Sequence, residues 1–556
     1  MQENILANRT EGPTDWSSID WKTVSRHVRN LRQRIFRATQ ESDWDKVQSL
    51  QRLMLRSRAN ILLSVRRVTQ VNQGKKTPGV DKVLVKTPSE RGKLVDEMSQ
   101  LTPWRAIPVK RVYIPKAKGT KRPLGIPTIR DRTLQAMVKN ALEPSWEAKF
   151  EGTSYGFRPG RSAQDAMTQI WELCRLKKKT WILDADIRGC FDNINHEHLL
   201  ETIGTFPAKE LIRQWLKAGY VEYGKLHETL TGTPQGGVIS PLLANISLHG
   251  METALGIRYY KSGTRVGKCA VIRYADDFVV MCDTEETAKK AQETLSEWLA
   301  IRGLQLSTEK TKVVTLAEGF DFLGFNVRIF PSKLRKSGWK TLIRPNKTSV
   351  LKIRKRLREE WQSLKGSNAL QVIKRLNPII RGWSNYFRTH VSSKIFGDLD
   401  RYMFIREAKH AKHIHPTKPS VWRTAKYWGK LNPNREDFWV FGDKETGAYL
   451  LKFKWTSMQN HIMVTGTNSP DDARLDKYWE AREMTKVKNL QPKPKALAKR
   501  QGGKCPICGE SLFIDENIEQ HHIVRRDEGG LDYLDNLIIV HLFCHQQLTA
   551  FQNRKA

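Results

Sequence analysis

The chain has 556 residues, too many for one hydrophobic core, and its length predicts three or four domains. It carries 95 Lys and Arg against 58 Asp and Glu, and a formal net charge of +37 indicates a polyanionic partner. No apolar run approaches the ~18 residues of a membrane span. The polar N-terminus and seven scattered cysteines exclude a secretory signal and a disulfide framework, so we expect a reducing, cytoplasmic compartment.

Residues 1–80 are predicted to form a basic helical extension. Apolar residues such as Val28, Leu31 and Ile35 recur at helical spacing, and arginines occupy the other faces. These arginines either face solvent or follow a phosphate backbone, and the pattern does not separate the two.

Paired carboxylates mark the middle of the chain. A strand-like run carries Asp184 and Asp186, and an apolar hairpin further on carries Asp276 and Asp277 at its tip. The hairpin pair alone is equally typical of an exposed turn. Three carboxylates brought together by a sheet, however, favour hard divalent cations, and two such cations serve nucleotidyl transfer. Asp184 and Asp186 point to the same sheet face, so spacing does not choose between them.

Positive charge is concentrated beyond residue 330. Residues 331–400 hold 17 Lys and Arg against four Asp and Glu, which argues against a generic basic protein kept soluble by repulsion. This stretch is predicted to be helical, and between 414 and 455 aromatic residues alternate with Lys and Arg. The run Gln491-Pro-Lys-Pro-Lys495 predicts a linker. Beyond it, three of the seven cysteines and four of the 14 histidines lie together in the last 52 residues.

Eight sequence blocks follow one another in a family-specific order. They are Tyr113-Ile-Pro-Lys116, Lys121-Arg122-Pro-Leu-Gly-Ile-Pro127, Ser154-Tyr-Gly-Phe-Arg158, Asp186-Ile-Arg-Gly-Cys-Phe191, Gly232-Thr-Pro-Gln235-Gly236-Gly, Tyr274-Ala-Asp276-Asp277, Leu306-Ser-Thr-Glu-Lys310-Thr-Lys312 and Phe322-Leu-Gly-Phe325. In this order they resemble the fingers and palm of a reverse transcriptase, and more closely the protein encoded by a bacterial group II intron. A ninth block, Leu376-Asn-Pro-Ile-Ile-Arg-Gly-Trp383-Ser-Asn-Tyr386-Phe387-Arg388, resembles the maturase region or thumb of that family.

The resemblance implies a polymerase site that uses Mg²⁺. It selects Asp186 over Asp184 as a ligand, together with Asp276, and Asp277 supports the same site. Lys310 is implied to protonate the leaving pyrophosphate, with Lys312 as a rival.

The resemblance also implies how the deoxynucleoside triphosphate is held. Lys116 and Arg122 suit the triphosphate, as a point charge and a fork respectively. Gln235 would lie near the incoming nucleotide, where the adjacent glycines let the backbone approach the template and primer. Phe191 resembles an aromatic gate that crowds the ribose 2′-hydroxyl, and the alternative is an ordinary core phenylalanine.

The tail resembles an HNH nuclease with two cation sites. Cys505, Cys508, His541 and Cys544 are implied to form a closed tetrahedral Zn²⁺ site, although His541 stands where the family more often has Cys. His521 and His545 are implied to bind a nuclease divalent ion, which we expect to be Mg²⁺. His522 is implied to be the general base. Asn536 is implied to orient the strands or the base histidine. The alternative is a zinc knuckle that binds nucleic acid without cutting it.

The expected fold is a multidomain α/β protein: right-hand polymerase fingers and palm around an α+β sheet, a helical thumb, and a small zinc-stapled ββα-metal module. The expected bounds are 1–80 for the N-terminal extension, 81–330 for fingers and palm, 331–402 for thumb and maturase, 403–492 for a DNA-binding region and 493–556 for the nuclease.

The expected function is that of an RNA-directed DNA polymerase with an HNH endonuclease. By resemblance it assists splicing of its own intron RNA and inserts that intron into double-stranded target DNA by copying it from a cleaved strand, in the cytoplasm and at the nucleoid of a bacterium. Two alternatives remain: a maturase that only binds RNA, and a reverse transcriptase of another bacterial system. Intact Asp186, Asp276 and Asp277 disfavour the first, and the maturase block and the tail disfavour the second.

Overall fold

A computed structural model describes residues 12–100, 104–115, 121–175, 179–260, 262–333, 338–490, 492–514 and 517–555. Helices and small sheets alternate through these ranges, which confirms the predicted mixed architecture. Among the described helices, none combines the length and the apolar character needed to cross a bilayer.

The N-terminal unit consists of α1 (Trp21–Gln40), α2 (Trp44–Arg56), α3 (Arg58–Arg66) and α4 (Pro88–Ser99). Asp20 caps α1 by accepting hydrogen bonds from two backbone amides. A capping box formed by Thr87 and Glu90 begins α4. Because α4 packs on α3, the helical unit extends past the predicted boundary at residue 80.

Fingers and palm follow as one continuous run of elements. In chain order these are β1 (Val109–Pro115), β2 (Lys121–Ile126), α5 (Ile129–Glu147), α6 (Ala163–Arg175), β3 (Trp181–Asp186), α7 (Cys190–Asn193), α8 (His196–Ile203), α9 (Lys209–Lys217), β4 (Tyr220–Glu222), β5 (Lys225–His227), α10 (Ser240–Ser247), α11 (Met251–Ala254), β6 (Arg258–Tyr259), β7 (Arg265–Val266), β8 (Cys269–Tyr274), β9 (Asp277–Cys282), α12 (Glu285–Ala300) and β10 (Lys312–Thr315).

The palm sheet is antiparallel and has the strand order β10-β3-β9-β8. Helix α12 covers one face and α6 contacts the other, so β8 and β9 are almost wholly apolar and buried. A second sheet, β2-β1-β4-β5, forms the fingers. The hairpin between β8 and β9 is therefore held at the edge of a two-sided core.

The thumb begins with a three-stranded sheet and continues as a helical bundle. Its elements are β11 (Phe320–Phe322), β12 (Phe325–Pro331), β13 (Trp339–Pro345), α13 (Lys347–Ser363), α14 (Ala369–Phe387), α15 (Ser393–Ile414), α16 (Ser420–Tyr427), β14 (Trp428–Gly429), β15 (Val440–Asp443) and β16 (Ala448–Tyr449). Helix α15 crosses the predicted boundary at residue 402. Tyr427, Trp428 and Phe441 pack into the bundle core, whereas Phe438 and Trp439 are exposed.

The chain then returns across the palm before it reaches the tail. Asp165 on α6 is fully buried and accepts hydrogen bonds from His461, the Val464 amide and Arg482. Further along, Asp471 forms a 2.7 Å ion pair with Arg32 of α1. This returning segment ends in α17 (Asp476–Val487).

The tail has the predicted ββα arrangement. It consists of α18 (Pro492–Arg500), β17 (Ile518–His522), β18 (Leu537–His541) and α19 (Leu542–Lys555), with β17 and β18 antiparallel. The linker predicted at 491–495 is wrong from Pro492 onward. Proline is tolerated in the first helical turn, and Leu497 and Ala498 draw the segment into the core as helix α18.

Candidate active sites

The palm sheet brings the predicted carboxylates together. Asp186 ends β3 directly opposite Asp277, the first residue of β9. Asp276 lies in the turn between β8 and β9, after Ala275, whose φ of 59° lies in the left-handed region. Three carboxylates thus meet at one end of the sheet.

Neighbouring backbone fixes this turn from below. The Tyr155 amide donates to the carbonyl of Arg273 at 2.8 Å, and a side chain at Gly156 would collide with the backbone of Ala275. The buried Arg273 donates to the Ala275 carbonyl and to Asn245. Residues 154–158 therefore pack against the turn that carries Asp276 and hold it in place.

Arg158 holds the 154–158 segment in place. It is buried and donates through Nε and Nη2 to both carboxylate oxygens of Glu147, at 3.0 and 2.9 Å. Its Nη1 also donates to the carbonyls of Glu151 and Ser154. Burial raises the pKa of Glu147, even though Arg158 acts in the opposite direction.

Crowding shapes the acid–base behaviour of the carboxylates. Burial, and then the charges of Asp276 and Asp186, raise the pKa of Asp277 to about 7. Burial also raises the pKa of Asp276, with Asp186 adding to the effect. Such a cluster favours an added cation, because positive charge relieves the mutual repulsion of the carboxylates.

Lys310 and Lys312 occupy different places. The Lys310 ammonium contacts Asp186 Oδ2 at 2.5 Å, and this hydrogen bond raises the pKa of Lys310. Lys312 lies on β10 across from Asp184. Burial raises the pKa of Asp184 to about 6, and the charge of Asp321 adds to the shift. Asp184 thus lies two residues before Asp186 on β3, opposite Val279 and not opposite a carboxylate of β9.

A chain of polar side chains joins fingers to palm. Arg122 on β2 donates through Nε to Gln235 Oε1 at 2.7 Å, and Gln235 Nε2 donates to Asp192 at 3.1 Å. The Gly125 amide donates to the Gln235 carbonyl, which docks the glycine loop on β2. Lys116, predicted to be their neighbour, lies outside the described residues.

Phe191 borders a cavity of about 230 Å³ that Asp192, Gln235 and Tyr220 also line. It is 7% exposed and belongs to the hydrophobic core, and its ring centroid lies 6.3 Å from that of Phe157. The residue therefore combines a core position with one wall of an open cavity.

In the maturase block, the aromatic residues pack mainly inward. Tyr386 stacks on Phe325 at 5.6 Å between centroids, and Phe387 packs on the same ring. The exposed cations of α13 are Lys347, Lys352, Lys355, Arg356 and Arg358. The aromatics thus join α14 to β12, and α13 presents the charge.

The tail contains a buried cluster suited to a metal. One ligand atom from each of Cys505, Cys508, His541 and Cys544 lies within 4.8 Å of the others, and all four residues are buried. His541 Nδ1 lies 3.3 Å from Cys508 Sγ. Hydrogen bonds from the neighbouring thiols, Cys508 first, lower the pKa of Cys505. Soft donors in this number fit a closed tetrahedral site.

A second histidine group lies on the hairpin beside α19. The rings of His521 and His545 are 5.0 Å apart between centroids, and burial lowers the pKa of His521. A neutral imidazole is the form that binds a metal. The His545 Nδ1 atom is paired with Glu519 at 2.6 Å.

His522 lies on the more open side of the same strand. Its Nε2 is 2.6 Å from Asp532 Oδ1, and Arg526 donates to both oxygens of that carboxylate. Asn536 holds the connecting loop, since it accepts from the Val524 amide and donates to the carbonyls of Val524 and Leu531. The side chain of Asn536 therefore forms its hydrogen bonds with the loop.

Four of these residues escaped the sequence reasoning: Asp192, Arg158, Glu519 and Asp532. Two of them lay in or next to quoted blocks, since Arg158 ends one and Asp192 directly follows another, which ends at Phe191. The Glu519-Gln-His521 spacing, which places Glu519 and His521 on one face of a strand, could have signalled the third. Asp532 offered no signal, because a loop fold brings it to His522.

Four family models match the chain. Residues 114–327 match the reverse transcriptase (RNA-dependent DNA polymerase), and residues 16–98 match the N-terminal domain of reverse transcriptase. Residues 350–428 match the group II intron maturase-specific domain, and residues 505–551 match the HNH endonuclease.

Several curated proteins are similar over long stretches. Protein YkfC of Escherichia coli (strain K12) is 32% identical over 321 residues, which cover 50% of this chain and 82% of that protein. The group II intron-encoded protein LtrA of Lactococcus lactis subsp. cremoris is 26% identical over 510 residues, which cover 72% of this chain and 84% of LtrA. Among solved structures, telomerase from Candida albicans aligns with a TM-score of 0.31 and 16% identity over 55% of this chain and 59% of that one.

With both sites and these matches in view, the chain belongs to the group II intron-encoded proteins, and it is an enzyme that combines an RNA-directed DNA polymerase, a maturase domain and an HNH endonuclease.

Proposed function

We propose that Asp186, Asp276 and Asp277 form the Mg²⁺ site for nucleotidyl transfer. The donor set fits, because hard divalent cations prefer carboxylate oxygens. Burial, with repulsion from the neighbouring carboxylates adding to it, raises the pKa values of Asp276 and Asp277, and a bound cation would stabilise both charged forms. When bound, two such ions supply the in-line clamp on the attacking hydroxyl and the leaving pyrophosphate.

The side chains around the carboxylates bind the deoxynucleoside triphosphate. Arg122 and Lys116 hold the phosphates, and Gln235 positions the nucleotide beside the cavity. Phe191 forms the wall against which a ribose 2′-hydroxyl would collide. Lys310 holds a proton next to Asp186, from where it can pass that proton to the leaving pyrophosphate. The Arg122–Gln235 hydrogen bond and the Lys310–Asp186 contact support these roles.

The basic face of α13 binds the RNA of the chain's own intron. Its exposed lysines and arginines suit a phosphate backbone. Because the chain carries a group II intron maturase-specific domain, we propose that this binding assists splicing and yields a ribonucleoprotein. We keep the order of parts proposed from the sequence, with the thumb and maturase (331–402) followed by the DNA-binding region (403–492), but we place α4 with the N-terminal extension and β11 with the thumb, and α15 runs across the boundary at 402.

The tail cuts one strand of double-stranded target DNA. His521 and His545 bind the nuclease divalent ion, proposed to be Mg²⁺, His522 removes a proton from the attacking water, and Asn536 fixes the loop beside it. Cys505, Cys508, His541 and Cys544 bind a structural Zn²⁺. The exposed 3′-hydroxyl then primes copying of the intron, which would take place at the bacterial nucleoid.

One observation carries the polymerase proposal: Asp186 lies opposite Asp277 with Asp276 in the adjoining turn. The test is primer extension on an RNA template by Asp186→Asn, Asp276→Asn and Asp184→Asn. We expect the first two to lose about 10³-fold in rate, because several kcal/mol of charge stabilisation correspond to that factor.

The matched control is Asp184→Asn. It removes a carboxylate with a raised pKa from the same strand, but at the position facing Lys312. We expect its extension rate to stay within a few fold of wild type. If Asp184→Asn loses activity and Asp186→Asn keeps it, the ligand assignment is wrong. Loss of RNA binding along with extension would instead indicate a general folding defect.

A further inference from the structure

The nuclease module is joined to the opposite end of the chain through its metal cluster. Arg66, the last residue of α3, is buried and donates through Nη2 to Cys544 Sγ at 3.0 Å. Its guanidinium lies 4.6 Å from the centroid of the Trp21 ring. A fixed cation of the N-terminal unit therefore contacts a sulfur of the tail cluster.

The contact belongs to a larger joint. Gln547 on α19 donates to the carbonyls of Ser17 and Ile19, at 3.0 and 2.9 Å. Arg29 on α1 forms a 2.6 Å ion pair with Glu510, two residues after Cys508. Cys505, Cys508 and Cys544 lie in the same hydrophobic cluster as the N-terminal helices. The sulfurs are thus buried against a partner surface of this same chain.

The charge of the loaded cluster explains why a cation is needed there. Three thiolates and one neutral imidazole around a divalent ion leave one net negative charge. A buried charge without a partner is costly. Arginine is always protonated, and its N–H groups can donate to a metal-bound sulfur. Arg66 supplies the opposite charge from within the apolar joint.

We propose that Arg66 is a positioning residue of the metal centre, which it neutralises and holds in place, so that metal retention by the nuclease module depends on the N-terminal unit. This inference rests on the proposed Zn²⁺ site. Outer hydrogen-bond partners of metal ligands typically contribute 10–100-fold to metal affinity. We expect Arg66→Met to bind Zn²⁺ with an affinity reduced by that factor, and therefore to lose the ion to a chelator more readily than wild type.

The experiment uses the full chain. Zn²⁺ content is measured after purification, and transfer to EDTA is followed for wild type, Arg66→Met, Arg66→Lys and Arg67→Met. Arg67 is the adjacent arginine and is exposed, so Arg67→Met should match wild type. Arg66→Lys keeps the charge but not the fork, and it should fall between wild type and Arg66→Met. If Arg66→Met does not fold, the Zn²⁺ affinity of Arg66→Lys relative to wild type tests the proposal.

A spectroscopic signature separates positioning from mere packing. In the Co²⁺-loaded chain, the thiolate-to-cobalt absorption should shift in both Arg66 variants and stay unchanged in Arg67→Met, because only the former lose or weaken the bond to Cys544. A wild-type chain that binds no Zn²⁺ would reject the metal centre itself. A wild-type chain with Zn²⁺, together with Arg66 variants that retain it equally and absorb identically, would reject the role of Arg66 alone.

Discussion

Removal of Arg158 should destabilise the palm and with it the carboxylate turn. In Arg158→Met, Glu147 keeps its buried position but loses both hydrogen bonds to the guanidinium. A buried charge left without its partner costs about 3–5 kcal/mol. We therefore expect a loss of that size in the free energy of unfolding. Primer extension should also be slower, because residues 154–158 would no longer hold the Asp276 turn firmly.

The double variant Arg158→Met/Glu147→Leu gives a sharper expectation. It removes both charges, so the cost of an unpaired carboxylate disappears. The carbonyls of Glu151 and Ser154 still lose their donor, at about 1 kcal/mol each. The double variant should thus be about 2 kcal/mol less stable than wild type, and more stable than Arg158→Met alone.

The assay is urea unfolding followed by tryptophan fluorescence at pH 8 and pH 5. Burial already raises the pKa of Glu147 in the intact pair, and loss of Arg158 raises it further. Protonation at pH 5 removes the unpaired charge, so the deficit of Arg158→Met should shrink on acidification, whereas the double variant should show no such change. A double variant that is no more stable than Arg158→Met at pH 8, or a deficit of Arg158→Met that is the same at both pH values, would refute the reasoning.

Three further predictions concern the separate activities. Phe191→Val should raise ribonucleotide incorporation in primer extension, because it removes bulk from the cavity wall, and unaltered discrimination would return Phe191 to a purely core role. Exchange of Lys352, Arg356 and Arg358 for Gln should flatten the salt dependence of intron RNA binding by about two in log–log slope, at ~0.7 per phosphate contact; an unchanged slope would make that helix face a solvated surface. His522→Ala should lower target-strand cleavage by about 10²-fold or more while primer extension persists, and normal cleavage would favour a zinc knuckle that only binds DNA.

Much of the fold could be predicted from the sequence, as could most of the residues that the structure brings together at the two candidate sites. Alternation along β3 placed Asp184 and Asp186 on one face, and the order of motifs then favoured Asp186, which the structure places opposite Asp277. Strands and helices were readable because their apolar periods are long and regular. The helix at Pro492–Arg500 was missed because Pro and Lys dominate its first turn, and only tertiary burial of Leu497 decides its state.

What escaped the sequence depends on contacts between distant parts of the chain. Asp532 reaches His522 only because a loop folds back, and Arg66 reaches Cys544 only because the two ends of the chain pack together. No periodicity encodes such pairs. For the same reason, composition alone did not group α4 with the N-terminal helices against which it packs.

The Lys310–Asp186 contact makes binding at the polymerase site a competition. A cation that approaches Asp186 must displace the ammonium, and an anion that attracts the ammonium leaves the carboxylate open. Metal and triphosphate should therefore strengthen each other's binding by the same factor, because coupling between two ligands is reciprocal at equilibrium. Lys310→Met should weaken this coupling without abolishing it, because the direct attraction between the metal and the triphosphate would remain.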